Sequence, residues 1–220
     1  MPRVEQRLPE YLSNDQAAQL LRAVQYNIRD HAFVSTLLYT GVRCAELINL
    51  DIDDIDFQEN IVKVRQGKGK KDRIIPLAPQ LRDAIRNYIK YRMDTNQNTI
   101  DGSKALFVTS RCNPKRLSGT TIRKLLIQYA AKAGLSHLHP HKLRHTALTE
   151  IYRKTKDLYY TSLIAGHSGV AITQRYAHSD PNYLKEIYNK SNIGYGATQQ
   201  SNIPKPELPQ QQRPDRTGYQ

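Results

Sequence analysis

Apolar residues recur at helical spacing along most of the 220-residue chain, with one stretch where they alternate instead. Ser13-Asn14-Asp15-Gln16 has the form of a capping box, with Ser13 as N-cap and Gln16 three residues on. It opens a helix whose inner face is Leu20, Leu21 and Val24. A second helix carries Phe33, Leu37 and Leu38, with Asp30 placed as its cap and Gly41 as its stop. Val42 to Leu50 reads as a short third helix. The alternating stretch follows. Asp54-Ile55-Asp56-Phe57 reads as a strand, and Ile61 to Val64 and Arg73 to Leu77 flank a Gly-containing turn as a hairpin. Pro76 fits an edge position or a strand end.

Helical spacing returns at Pro79 with Leu81, Ala84, Ile85, Tyr88 and Ile89, and residues 93–104 are polar enough for a loop. Ile122, Leu125, Leu126, Tyr129 and Ala130 mark a helix ended by Gly134. Pro140 starts another, carrying His141, Arg144 and Leu148. Leu158 to Ala165 is a short helix stopped by Gly166, and Asp180-Pro181 opens a last one with Leu184, Ile187 and Tyr188 on one side. Tyr39, Tyr88 and Tyr129 fall at core positions. The expected fold class is α+β, mostly α-helical, with a small three-stranded antiparallel sheet. Residues 1–193 are expected to form one folded domain. Residues 194–220, with Pro204, Pro206, Pro209, Pro214 and six glutamines, form a tail expected to be disordered.

Composition narrows the function classes. The net charge is +13, and the tail carries only Lys205, Arg213 and Arg216 against Glu207 and Asp215. Nearly all the positive charge therefore sits on the folded body, which favours a polyanionic partner, nucleic acid before membrane. The longest mostly apolar stretch, Ala32 to Val42, is too short and too polar to span a bilayer, and Met1 to Glu10 lacks the apolar core of a signal peptide. Two cysteines, Cys44 and Cys112, make no disulfide framework and fit a reduced setting. A soluble, cytoplasmic and nucleoid-associated protein is expected.

Chemistry concentrates in a few places. His141 and Arg144 lie three apart on a helix and share a face. An imidazole beside a guanidinium suits a phosphate, whose oxygens match the arginine fork. His141 and His145 have the i, i+4 spacing of zinc-binding helices, but Lys142 stands where that motif needs Glu and Arg144 lies between them. Two cations beside a dication are unfavourable, so no metal site is expected. The turn Gly67-Lys68-Gly69-Lys70-Lys71-Asp72 is not a P-loop, because a strand follows it instead of a helix. It holds Lys68 at a hairpin tip, with Lys70, Lys71 and Arg73 as candidate DNA contacts. Arg43 stands just after a helix stop with Glu46 three residues on, placed to orient its guanidinium. His167 follows Gly166, and Tyr176 is nine residues further.

In this order the residues resemble the catalytic domain of tyrosine recombinases, the phage-integrase and Xer-type family. Gly41-Val42-Arg43-Cys44-Ala45-Glu46-Leu47 matches the family's Gly-x-Arg-x-x-Glu-Leu segment, and Lys68 its hairpin lysine. His141-Lys142-Leu143-Arg144 matches its His-x-x-Arg, and Gly166-His167 with Tyr176 its Gly-His and nucleophile. The match runs from about Leu8 to Ile193. Ala165 replaces a usual Leu, and Thr155 a frequent Gly. The chain starts where the family's interdomain linker would be, so the N-terminal core-binding domain is expected to be absent.

The resemblance implies site-specific DNA recombination through a 3′-phosphotyrosine, with Tyr176 as nucleophile. Arg43 and Arg144 clamp the phosphate, His141 takes the proton, His167 adds a hydrogen bond and Lys68 protonates the leaving 5′-oxygen. It implies no cofactor and no metal, double-stranded DNA as partner, and a monomer that becomes a tetramer on DNA. Strand nicking and resealing of the type IB topoisomerase kind, and a non-catalytic DNA-binding module on the same fold, are the alternatives.

Overall fold

The computed structural model describes residues 11–65, 72–95, 104–110, 113–166, 185 and 188–191. Its elements are helices α1 (Asn14–Val24), α2 (Ile28–Thr40), α3 (Cys44–Asn49), α4 (Pro79–Asp94), α5 (Gly119–Lys132), α6 (Pro140–Thr155) and α7 (Leu158–Ala165). Strands β1 (Ile55–Asp56), β2 (Ile61–Val64) and β3 (Arg73–Pro76) lie between α3 and α4. The mostly helical α+β class with a three-stranded antiparallel sheet is what the pattern predicts.

Helix α2 is the central element, packed by α1, α4 and α6. Every residue from Ala32 to Thr40 is buried, so it needs apolar character all round. Its hydroxyls are satisfied within the helix: Thr36 Oγ1 donates to the Ala32 carbonyl at 2.8 Å, and Thr40 Oγ1 to the Thr36 carbonyl at 2.6 Å. Phe33, Tyr88 and Phe107 form the aromatic centre, with Tyr88 and Phe107 stacked at 5.6 Å and Phe33 edge-on to Phe107 at 6.4 Å. Each such fully buried side chain stabilises the fold by roughly 1.5–3 kcal/mol.

The caps are mostly as the residues dictate. Ser13 and Gln16 form the reciprocal box at α1, Ser13 Oγ accepting from the Gln16 N–H at 3.2 Å and Gln16 Oε1 from the Ser13 N–H at 3.0 Å. Gly41, Gly134 and Gly166 all have positive φ where helices end. One cap differs from expectation. Asn27, not Asp30, caps α2, its Oδ1 accepting from the Asp30 N–H at 3.0 Å. Asp30 is buried in the first turn, where it accepts from Tyr129 Oη at 2.7 Å and pairs with Arg29. A partner ninety-nine positions away outcompetes the local role. Burial, reinforced by the bond to the Asp30 carboxylate, pushes the Tyr129 phenol up.

The sheet has the order β1-β2-β3, with Ile55 opposite Val62 and Val64 opposite Arg73. Pro76 stands on β3, an edge strand, opposite Ile61. The segment Ala105 to Val108, which carries no periodic signal, is fully buried. It is tied by isolated bridges to Asp51 and Arg116, and its Ala105 and Leu106 carbonyls accept from buried Arg92 at 2.6 and 2.9 Å. Tyr188 packs into this chain's own core and donates to the Tyr39 carbonyl at 3.3 Å. The rest of the expected last helix and the tail lie outside the described residues. No helix among the described residues is long and apolar enough to cross a membrane.

Candidate active site

The site is built around one carboxylate. Gly41 ends α2 in the left-handed conformation, φ 63°. Two residues later Arg43 sits at the N-cap of α3. Glu46, in the first turn of α3, accepts from the Arg43 backbone N–H at 2.7 Å and from Arg43 Nη1 at 2.8 Å. The same carboxylate receives both ends of a second guanidinium, Arg73 Nη1 at 3.0 Å and Nη2 at 2.8 Å. A third, Arg144 Nη1, lies 4.0 Å from it.

The three arginines also hold the end of α7. Arg73 Nε donates to the Ile164 carbonyl at 2.8 Å, Arg144 Nη2 to that of Ala165 at 2.6 Å and Arg43 Nη2 to that of Gly166 at 3.4 Å. Three successive carbonyls at a helix C-terminus, orphaned by geometry and at the negative end of the dipole, thus each receive one cation. Arg144 Nη1 in addition donates to the Gly41 carbonyl at 2.6 Å. The approach is close: a Cβ on Gly41 would stand 3.1 Å from Leu148 Cδ2 and 3.3 Å from Ala147 Cβ of α6.

Exposure separates the roles. The Arg43 side chain is 38% exposed, whereas Arg73, Arg144 and Glu46 are 9%, 6% and 10% exposed. Burial alone would raise the Glu46 carboxyl, but the hydrogen bonds from Arg73 and Arg43 and the charge of Arg73 lower it to about 2. Arg144 is lowered to about 10, first by burial and then by Arg43 and Arg73, with Glu46 opposing. It stays cationic at neutral pH. Three guanidiniums with one carboxylate leave a positive surplus where solvent is scarce, the condition for binding an anion strongly.

Arg43, Arg144 and His141 line one pocket of about 340 Å³, together with Cys44, Arg123, His139 and Pro140. The structure therefore brings together His141 and Arg144, as their spacing predicts, and Arg43, as the resemblance implies. Lys68, Lys70, Lys71, His167 and Tyr176 lie outside the described residues. Arg73 departs from expectation. Its place in the sequence next to Gly67 to Asp72 suggests a DNA contact, but the side chain faces inward with its guanidinium engaged by Glu46 and Ile164. Arg123 is a pocket residue that the sequence does not single out. It reaches the pocket from α5 and has no ion-pair partner among the described residues, and helical periodicity alone marks it as an ordinary polar position. Burial pushes the Cys44 thiol up, with Arg123 pulling the other way.

The three histidines divide their work. His139 caps α6, its Nδ1 accepting from the Lys142 N–H at 3.2 Å. His141 and His145 stand edge to face with centroids 4.4 Å apart, their Nε2 atoms 3.0 Å from one another. Among the described residues no group of three or more His, Cys, Asp or Glu side chains gathers in a way that could hold a metal ion.

The sequence profile of the phage integrase family matches residues 10–183, most of the chain and every described element of the site. The chain belongs to the phage integrase family. Relatives within it are similar over the same region. The tyrosine recombinase XerA of Pyrococcus furiosus is 35% identical over 194 residues, 87% of this chain and 65% of that protein. The tyrosine recombinase XerC of Corynebacterium glutamicum is 34% identical over 195 residues, 86% of this chain and 61% of that protein. The chain spans somewhat less than two thirds of the length of these relatives. A crystal structure of XerA recombinase superposes with a TM-score of 0.67 at 37% identity, covering 86% of this chain and 68% of that one. The phage integrase fold is therefore the fold of this chain.

Proposed function

We propose that this chain is the catalytic part of a site-specific recombinase that cuts and rejoins double-stranded DNA through a 3′-phosphotyrosine. The observation that carries the reading is the surplus of guanidinium charge, with Arg43 and Arg144 opening onto the pocket that holds His141. A phosphodiester in that pocket meets donors already held in place, so charge developing on its non-bridging oxygens is stabilised without reorganisation. Family membership and the resemblance set out above support the remaining roles. Tyr176 attacks phosphorus, His141 takes the phenolic proton, His167 bonds the same phosphate and Lys68 protonates the departing 5′-oxygen. A phenol with an ordinary pKa of about 10 needs such a base near neutral pH. The ester keeps the energy of the broken bond, so rejoining calls for no ATP, cofactor or metal. On this reading the protein acts in the cytoplasm on the nucleoid, as a monomer that assembles into a tetramer on two duplexes.

A suicide DNA substrate, nicked so that cleavage cannot reverse, tests the reading. The native chain accumulates a covalent protein–DNA adduct, resistant to EDTA. Tyr176→Phe retains DNA binding and forms none. An adduct formed by that variant would falsify the nucleophile assignment.

A further inference from the structure

His141 is the residue read as the base, and its Nε2 lies 3.0 Å from Nε2 of His145. Two ring nitrogens 3.0 Å apart form a hydrogen bond only if one carries a hydrogen and the other a lone pair. Which nitrogen of an imidazole is protonated is set by the bond its other nitrogen makes. We infer that His145 is a positioning residue: its Nε2 accepts from His141 Nε2–H and thereby leaves the lone pair of His141 on Nδ1, as the nitrogen that serves the pocket.

Three observations support this direction of the bond. Among the described residues His141 Nδ1 has no hydrogen-bond partner, so it is open to a phenol or a phosphate-bound water. Among the described residues, the charged and basic groups that share the pocket with His141 are Arg144 and His139 on or at the start of α6, Arg43 at the start of α3 and Arg123 from α5. A lone pair on Nδ1 is favoured in such surroundings over the N–H that the opposite direction of the bond would place there. Burial, then His141, Arg144 and His139, lower His145 below the ordinary imidazole value. It is thus neutral, and able to accept, at the pH where DNA is handled. The spacing i, i+4 on one helix supplies the geometry without any help from distant segments.

The inference rests on His141 being the base, and the test separates the two. Adduct formation on suicide DNA is followed as a single-turnover rate against pH for the native chain and for His145→Ala, His145→Gln and His141→Gln, with DNA affinity measured alongside. His145→Ala should slow adduct formation on the order of 10- to 100-fold, by analogy with removal of the partner that orients a metal-bound imidazole, with little change in affinity. His145→Gln offers a carbonyl oxygen to the same N–H and should recover most of that rate. Below its own lowered pKa His145 is a cation that cannot accept, which adds to the loss that protonation of the base itself brings, so the native rate should fall more steeply with falling pH than that of the Gln variant. If His141→Gln is slow while both His145 variants match the native rate and pH profile, His145 has no positioning role and the base assignment stands. If His141→Gln itself is as fast as the native chain, the reading of His141 fails, and the inference fails with it.

Discussion

At the scale of single residues, Glu46 is the side chain on which most depends. One carboxylate anchors Arg43 and Arg73 and sits 4.0 Å from Arg144. Its folded pKa of about 2 lies below its ordinary 4.5, so its contribution to stability is fully present above pH 4.5 and is lost as pH falls through about 2. The shift corresponds to about 3 kcal/mol. Glu46→Gln should therefore lower the stability of the fold by about that much at pH 7 and flatten its decline between pH 4.5 and 2, measured by urea melts across that range. The sequence shows Glu46 beside Arg43, because the two are three positions apart at a helix start. It does not show Arg73, whose pairing with Glu46 bridges twenty-seven positions and depends on how β3 meets α3. Asp30 is misread for the same reason, since Tyr129 reaches it from α5.

At the scale of elements, Arg73 ties β3 to both α3 and the end of α7. A lysine in its place keeps the charge but loses the fork that bonds both Glu46 oxygens and the Nε–H that bonds Ile164. Arg73→Lys should lower the melting temperature. It should leave the salt dependence of DNA binding unchanged, because a side chain turned inward releases no counterion. Were this arginine a phosphate ligand, its replacement by an uncharged residue would reduce the slope of log affinity against log salt by about one, whereas Arg73→Gln should leave that slope as it is, as fluorescence anisotropy would show. Elements fixed by local chemistry are legible in the sequence: the capping box at α1, the glycine stops of α2, α5 and α7, and α7 itself from Leu158 to Ala165. The segment Ala105 to Val108 is not, because four apolar residues in irregular backbone carry no period and are recruited by Arg92 and the bridges.

At the scale of the whole molecule, the charge of +13 belongs mostly to a body that packs its helices around α2. If that charge meets a phosphate backbone as proposed, affinity for duplex DNA should fall on the order of 10³-fold or more between about 50 and about 200 mM salt. A near-flat response would mean that the basic surface takes no part in binding. The pocket is legible as a set of residue types but not as an arrangement, because its parts come from α3, α5 and α6 and are held by β3 and α7. That arrangement also bears on the order in which the protein can acquire its site. The bonds from Arg43, Arg73 and Arg144 to the end of α7 and to Gly41 close loops of 123, 91, 21 and 103 residues. The three longest closures carry the larger loop-closure entropy, which must be paid before their contacts reward it. A nascent chain that has not yet extended past residue 166 holds the three arginines but not the carbonyls that align them. During synthesis α1 and α4 can therefore pack on α2 well before the protein is able to grip a phosphate.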